Sequence, residues 1–215
     1  MSPPMPPSPD ADRRTVETIV AFLRETYAGR PAVIAVSGGI DSALALTLLC
    51  RAVGPGRVTP LFLPYGDQDM ADAWAATRHN EIPDSACVTV DIAPMADAAI
   101  ASLGIGARDN VRRGNVMARC RMIAVYDHAK KLGALVCGTE NKSEKRLGYF
   151  TRFGDAASDV EPITNLYKTD VRRVAAMLGL PKAILEKAPS AGLWSGQTDE
   201  DEMGFTYAQA DAVLS

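Results

Sequence analysis

The apolar run Ala32-Val33-Ile34-Ala35-Val36 passes without a break into Ser37-Gly38-Gly39-Ile40-Asp41-Ser42, and from there into Ala43-Leu44-Ala45-Leu46. A strand this apolar has no face to give to water, so it belongs inside a sheet covered on both sides, and the two glycines turn it directly into a helix. Further short apolar runs at 58–63, 87–91 and 134–137 alternate with helical patterns at 42–53, 68–79, 94–103 and about 111–132. Such alternation means βαβ units. The expected fold is α/β: a Rossmann-like doubly wound parallel sheet of about five strands with helices on both faces, the fifth strand coming from a weaker extended segment at 159–163.

Residues 1–11 read as a disordered leader, because five of the first nine residues are proline. Residues 12–215 read as one domain. Its first helix is signalled by Val16, Ile19, Val20 and Leu23 at helical spacing, with Asp10 or Asp12 as the N-cap. A chain of 215 residues that is 47% hydrophobic fills a single core and leaves no length for a second catalytic domain. The net charge of −3 argues against a nucleic-acid partner, and no apolar stretch approaches a membrane span. Cys50, Cys87, Cys120 and Cys137 are too scattered for a zinc or redox motif and read as free thiols, and the N-terminus lacks a signal-peptide pattern. A cytoplasmic location follows as the expectation.

In doubly wound sheets ligands bind beyond the carboxyl ends of the strands, where the Gly38-Gly39 turn lies. Glycines let the backbone approach an anion, and a helix N-terminus adds about half a positive charge there. Ser37 and Ser42 offer hydroxyls, whereas Asp41 is an anion and makes sense beside phosphate only with a cation between them. A nucleotide with Mg²⁺ is implied. A plain strand-to-helix turn capped by Asp-Ser would use the same letters. The motif lacks the Gly-Lys-Ser/Thr of a Walker A loop. It resembles instead the pyrophosphate loop of the ATP pyrophosphatase superfamily, whose members split ATP between its α- and β-phosphates.

A second loop, Gly138-Thr139-Glu140-Asn141-Lys142-Ser143-Glu144, follows the run at 134–137 and should open at the same sheet edge. Asp41 and Glu144 could then hold one Mg²⁺, which takes one or two protein carboxylates and completes its octahedron with phosphate and water. Alternatively Glu144 is a solvated charge beside Lys142 and Lys145. Lys168 opens another amphipathic pattern, through Val171, Val174, Ala175 and Leu178. His79 and His128 show no pattern of partners.

The segments GNVMARCRM (114–122), GTENKSEKRLGYFTRFGD (138–155), PITNLYKTDVRRVA (162–175), KAPSAGLWSGQTDEDEMG (187–204) and TYAQADAVL (206–214) occur in the order found in NAD synthetases of the ammonia-dependent type, and with SGGIDS they resemble that family over most of the chain. The resemblance implies an adenine nucleotide alpha-hydrolase-like fold and a ligase that forms a C–N bond. It implies that deamido-NAD is amidated to NAD by ammonia through a carboxyl-adenylate, with release of AMP and pyrophosphate. It places the ATP contacts on Ala35, Val36, Ser37, Gly38, Gly39, Ile40, Asp41, Ser42, Thr139, Lys168 and Ser190. Mg²⁺ falls to Asp41 and Glu144, which with Lys168 form the catalytic set. Deamido-NAD falls to Arg119, Arg152 and Asp159. Asn115, Arg119, Met122 and Tyr126 share one helix face that the resemblance assigns to a homodimer interface, and the loop around Trp194 becomes a lid. Tyr149, Phe150 and Phe153 are packing anchors or stacking surfaces.

Two departures stand out. The family usually continues past the position of Ser215 through a His-Lys pair that contacts the dinucleotide, and the arginine that some bacterial members carry before a Leu-Pro-Tyr segment is Phe62 here. The 36 residues before Ser37 are too few for a glutaminase domain, so free ammonia is the expected donor unless a separate glutaminase subunit delivers it. The competing expectations are another adenylating amide-forming enzyme of the superfamily, such as the synthetase half of GMP synthetase, and a tail-truncated nucleotide-binding homologue without activity.

Overall fold

In a computed structural model, which describes residues 9–190, 192–194 and 196–215, the elements run α1 (Pro9–Tyr27), β1 (Ala32–Ala35), α2 (Ile40–Val53), β2 (Val58–Phe62), α3 (Ala71–His79), β3 (Val88–Thr89), α4 (Ala93–Ser102), α5 (Asn110–Leu132), β4 (Leu135–Cys137), α6 (Lys142–Leu147), α7 (Lys168–Met177), α8 (Lys182–Glu186), α9 (Asp199–Met203) and α10 (Tyr207–Leu214). The strands form one parallel sheet in the order β3-β2-β1-β4, with Val33 opposite Thr59 on one side and Val136 on the other. Strand order reverses between β1 and β4, so the loops leaving these two strands flank the crevice of the sheet.

Alternation along β1 sends its residues to two cores. Ala32 and Ile34 join Leu23, Leu44, Leu48, Val171 and Val174 from α1, α2 and α7, while Val33 joins Ile92, Met117, Cys120, Ala124 and Val125 under α4 and α5. The expected two-faced cover is therefore present. Helix α2 is buried on nearly every side, which its uniformly apolar sequence allows.

The expected fifth strand is reduced to a single parallel bridge, Cys137 to Val160. The Asp159 carboxylate accepts the Val136 N–H at 2.8 Å and takes the donor that a strand carbonyl needs, and Pro162 has no N–H to continue the ladder. Four strands result where about five were expected. Residues 1–8 of the expected leader lie outside the described residues, but residues 9–11 already belong to α1. Neither Asp10 nor Asp12 is an N-cap. Both sit in the first turn, and the Asp12 carboxylate is buried in a bidentate pair with Arg173 of α7 at 2.7 and 2.9 Å. The four cysteines are free, and among the described residues no helix is long and apolar enough to cross a membrane.

Candidate active site

The turn after β1 is built for close approach of an anion. Gly38 has φ +79°, and a Cβ there would stand 2.7 Å from Asp72 Cβ and 2.9 Å from the Ala73 amide nitrogen, so only glycine fits against the start of α3. No side chain caps α2, which leaves the N–H groups of Ile40, Asp41 and Ser42 without intrahelical partners. The two serines hold the turn together. Ser42 Oγ is buried, donates to the Gly39 carbonyl at 3.0 Å and accepts the Ser37 N–H at 3.3 Å, while Ser37 Oγ accepts the Gly39 N–H at 3.2 Å. Ser42 thus presents its backbone N–H, not a free hydroxyl, to anything bound at the helix start.

Across the crevice, Asn141 caps α6 through a reciprocal bond with Glu144: its side chain accepts the Glu144 N–H at 3.0 Å and Glu144 Oε2 accepts the Asn141 N–H at 3.2 Å. Asn141 Nδ2 also donates to Asp41 Oδ1 at 2.9 Å. This amide ties the loop after β4 to the start of α2. Lys168, at the start of α7, lies between the two carboxylates, its Nζ 2.5 Å from Asp41 Oδ2 and 3.2 Å from Glu144 Oε1. The aromatic face of Tyr207 lies 4.9 Å from the same nitrogen.

Burial and charge compete in this cluster. Burial works against the Lys168 ammonium, but Asp41 and then Glu144 outweigh it and hold the lysine protonated beyond its usual range. Burial, and next the charge of Asp41, push the Glu144 carboxyl up to about 8 in spite of Lys168. A second positive charge bound here would let Glu144 ionise beside Asp41, and both side chains offer oxygen donors beside open amides. The donor set fits Mg²⁺, a hard cation that needs few protein ligands when phosphate supplies the others. Among the described residues no cluster of three or more His, Cys, Asp or Glu forms a complete protein cage for a metal.

Ser37, Gly39, Ile40, Asp41, Ser42, Glu144 and Lys168 line a cavity of about 570 Å³ together with Ala35, Val36, Thr139 and Ser190, whereas Gly38 faces α3 instead. Tyr149, Phe150 and Trp194 border it as well, whereas Phe153 stands 65% exposed elsewhere. Ala191, in the expected lid, lies outside the described residues. Arg119, Arg152 and Asp159 do not line the cavity. Arg119 Nη2 donates to the Arg152 carbonyl at 3.2 Å, so the two arginines meet on an exposed surface, while Asp159 is engaged at the β4 edge.

Several residues at the site escaped sequence reasoning. Asn141 was legible as a cap, since an Asn three residues before a Glu is the signature of a reciprocal cap. Arg121, which lines the cavity and donates to the Leu63 carbonyl at 3.0 Å and to Gln68 Oε1 at 3.1 Å, gave no such signal. Nor did Asp199, buried at the cavity wall and bonded to Tyr207 and Tyr149.

Comparison with known proteins follows the same lines. The family model described as NAD synthase matches residues 13–215. The chain is 44% identical over 200 residues to the NH(3)-dependent NAD(+) synthetase of Thermoplasma acidophilum, covering 93% of this chain and 82% of that one. It is 45% identical over 202 residues to the NH(3)-dependent NAD(+) synthetase of Methanoregula boonei, covering 93% and 80%. Among solved structures, the NMN synthetase of Francisella tularensis superimposes with a TM-score of 0.85 at 39% identity, covering 94% of this chain and 85% of that one. The NAD+ synthetase of Burkholderia pseudomallei gives 0.78 at 34% identity, covering 94% and 81%.

Proposed function

We propose, from the premise that the chain belongs to the NAD synthase family, that it is a ligase joining ammonia to the nicotinic-acid carboxylate of deamido-NAD, with ATP split to AMP and pyrophosphate. One observation carries the reading. Carboxylates from the first turns of the helices that follow β1 and β4, Asp41 and Glu144, meet at one lysine beside a helix start whose amides are open.

A carboxylate is a poor electrophile because its leaving group would be oxide. Attack of one carboxylate oxygen on the α-phosphorus of ATP breaks the bond to the β-phosphate, releases pyrophosphate and gives an acyl adenylate. Ammonia then adds to the acyl carbon, AMP departs with the shared oxygen, and loss of a proton leaves the amide. The protein's main task is to stabilise charge on the departing pyrophosphate. The N–H groups of Ile40, Asp41 and Ser42 face that position with fixed dipoles, and each such donor is worth roughly 10²–10³ in rate. Lys168 adds a permanent positive charge, held straight by Asp41, Glu144 and the Tyr207 ring. Asp41 and Glu144 would hold Mg²⁺, which when bound supplies further positive charge to the phosphates.

Thr139 and Ser190 belong in this proposal to the nucleotide, and Arg119 with Arg152 to the phosphates of the dinucleotide. Because those arginines lie outside the cavity, the reading places their surface against a second subunit along α5, so that each site draws on both chains of a cytoplasmic homodimer. The likeness to an NMN synthetase favours one second reading, the same amidation on a mononucleotide acid.

Acid labelled with ¹⁸O in its carboxylate tests the chemistry. Incubation with ATP, Mg²⁺ and ammonium should move one ¹⁸O into AMP for each NAD formed, whereas label in phosphate or pyrophosphate would overturn the adenylate. Running deamido-NAD against nicotinic acid mononucleotide separates the two readings by their kcat/KM.

A further inference from the structure

Lys168 and Glu144 enter the cavity from the first turns of two helices, and both turns are fastened by one side chain that lines no part of the cavity. Asp211, on α10, is 5% exposed. Its Oδ2 accepts the Thr169 N–H at 2.9 Å, and its Oδ1 accepts the hydroxyl of Ser143. Ser143 Oγ in turn accepts the Lys168 N–H at 2.8 Å. The carboxylate therefore satisfies two of the open amides of α7, one directly and one through Ser143, and joins them to the turn of α6 that carries Glu144. Asp211 makes no ion pair among the described residues. It sits where the partial positive charge of the ten-residue helix α7 favours an anion. One turn earlier on α10, Tyr207 lies under the Lys168 ammonium and donates to Asp199 Oδ2 at 3.0 Å.

We propose that Asp211 is a positioning residue for the reaction, setting through Ser143 the spacing between Lys168 and Glu144. The inference rests on the role given above to Lys168 and Glu144. An amide in place of this carboxylate would keep the Thr169 N–H on its oxygen and turn Nδ2 toward Ser143, so the Ser143 hydroxyl proton loses its acceptor, the sense of that bond reverses and the negative charge at the start of α7 is lost.

The test measures kcat, KM for ATP and melting temperature in Asp211→Asn, Ser143→Ala, the double variant and Lys168→Ala. Asp211→Asn and Ser143→Ala should each lower kcat by about tenfold or more while KM for ATP moves less than about threefold, and the double variant should fall no further than the worse single one. Folded single variants with the kcat of the parent, or losses that multiply, would overturn the inference. Should Asp211→Asn fail to fold, Ser143→Ala, which keeps the bond to Thr169, decides on the same kcat criterion. Lys168→Ala at parental kcat would instead overturn the reading of the site itself.

Discussion

At the scale of single residues, the site depends on groups that each serve geometry and charge together. Asp41 accepts from Asn141 and from Lys168, so its two oxygens join three elements before any ligand arrives. Gly38 is the least replaceable position in the turn, because its φ of +79° and its distance to Asp72 both exclude a Cβ. A non-glycine residue with left-handed backbone costs about 1–2 kcal/mol before any clash is counted. Gly38→Ala is therefore expected to lower the melting temperature and to weaken ATP binding by at least about tenfold, the clash falling on backbone that cannot swing away. Calorimetric titration of ATP beside a thermal melt checks both.

At the scale of elements, much of the fold was legible because burial on both faces leaves a strong mark. The runs that became β1 and β4 are apolar throughout and that of β2 is broken only by Thr59, and the helices between them kept their expected places to within three residues. The segment at 159–163 misled because its weak extended character says nothing of Asp159 taking a β4 amide with its side chain. Asp12 misled in the same way, since its partner Arg173 is 161 residues away. Asp41, Glu144 and Lys168 were found through motifs, whereas Asp211 and Arg121 act through partners that no local spacing reveals.

The segment after β4 also has a titration of its own. Burial raises the Glu161 carboxyl from 4.5 to about 7, against the pull of Ser158 and the Glu140 amide. The folded chain then binds a proton that the unfolded chain has released between those values, so this contribution to stability is full below about 4.5 and is lost as pH rises through about 7. Melting temperature should fall from pH 5 to pH 8, and the fall should be shallower in Glu161→Gln. Equal slopes in the two proteins would contradict this assignment.

At the scale of the molecule, the sheet order 3-2-1-4 is what brings Asp41 and Glu144 together, since it sets the carboxyl ends of β1 and β4 side by side although the residues are far apart in sequence. Helix α5 leaves Val111 63% and Ile123 53% exposed along a face that also carries Arg119. In the proposed homodimer a second copy covers this face, so sedimentation should give twice the 22.9 kDa of the chain and Ile123→Arg should give the single chain with loss of turnover. A parent protein that sediments as a monomer while fully active would remove the second subunit from the site.

In the proposed reaction Asp41 and Glu144 act together on the departing pyrophosphate. Release of pyrophosphate and formation of NAD, followed together in one mixture of ATP, deamido-NAD, ammonium and varied Mg²⁺, test it most directly. The parent protein should release one pyrophosphate per NAD only when Mg²⁺ is present, and folded Asp41→Asn and Glu144→Gln should release neither at any Mg²⁺ concentration. Parental turnover in both variants, or turnover indifferent to a divalent cation, would contradict it.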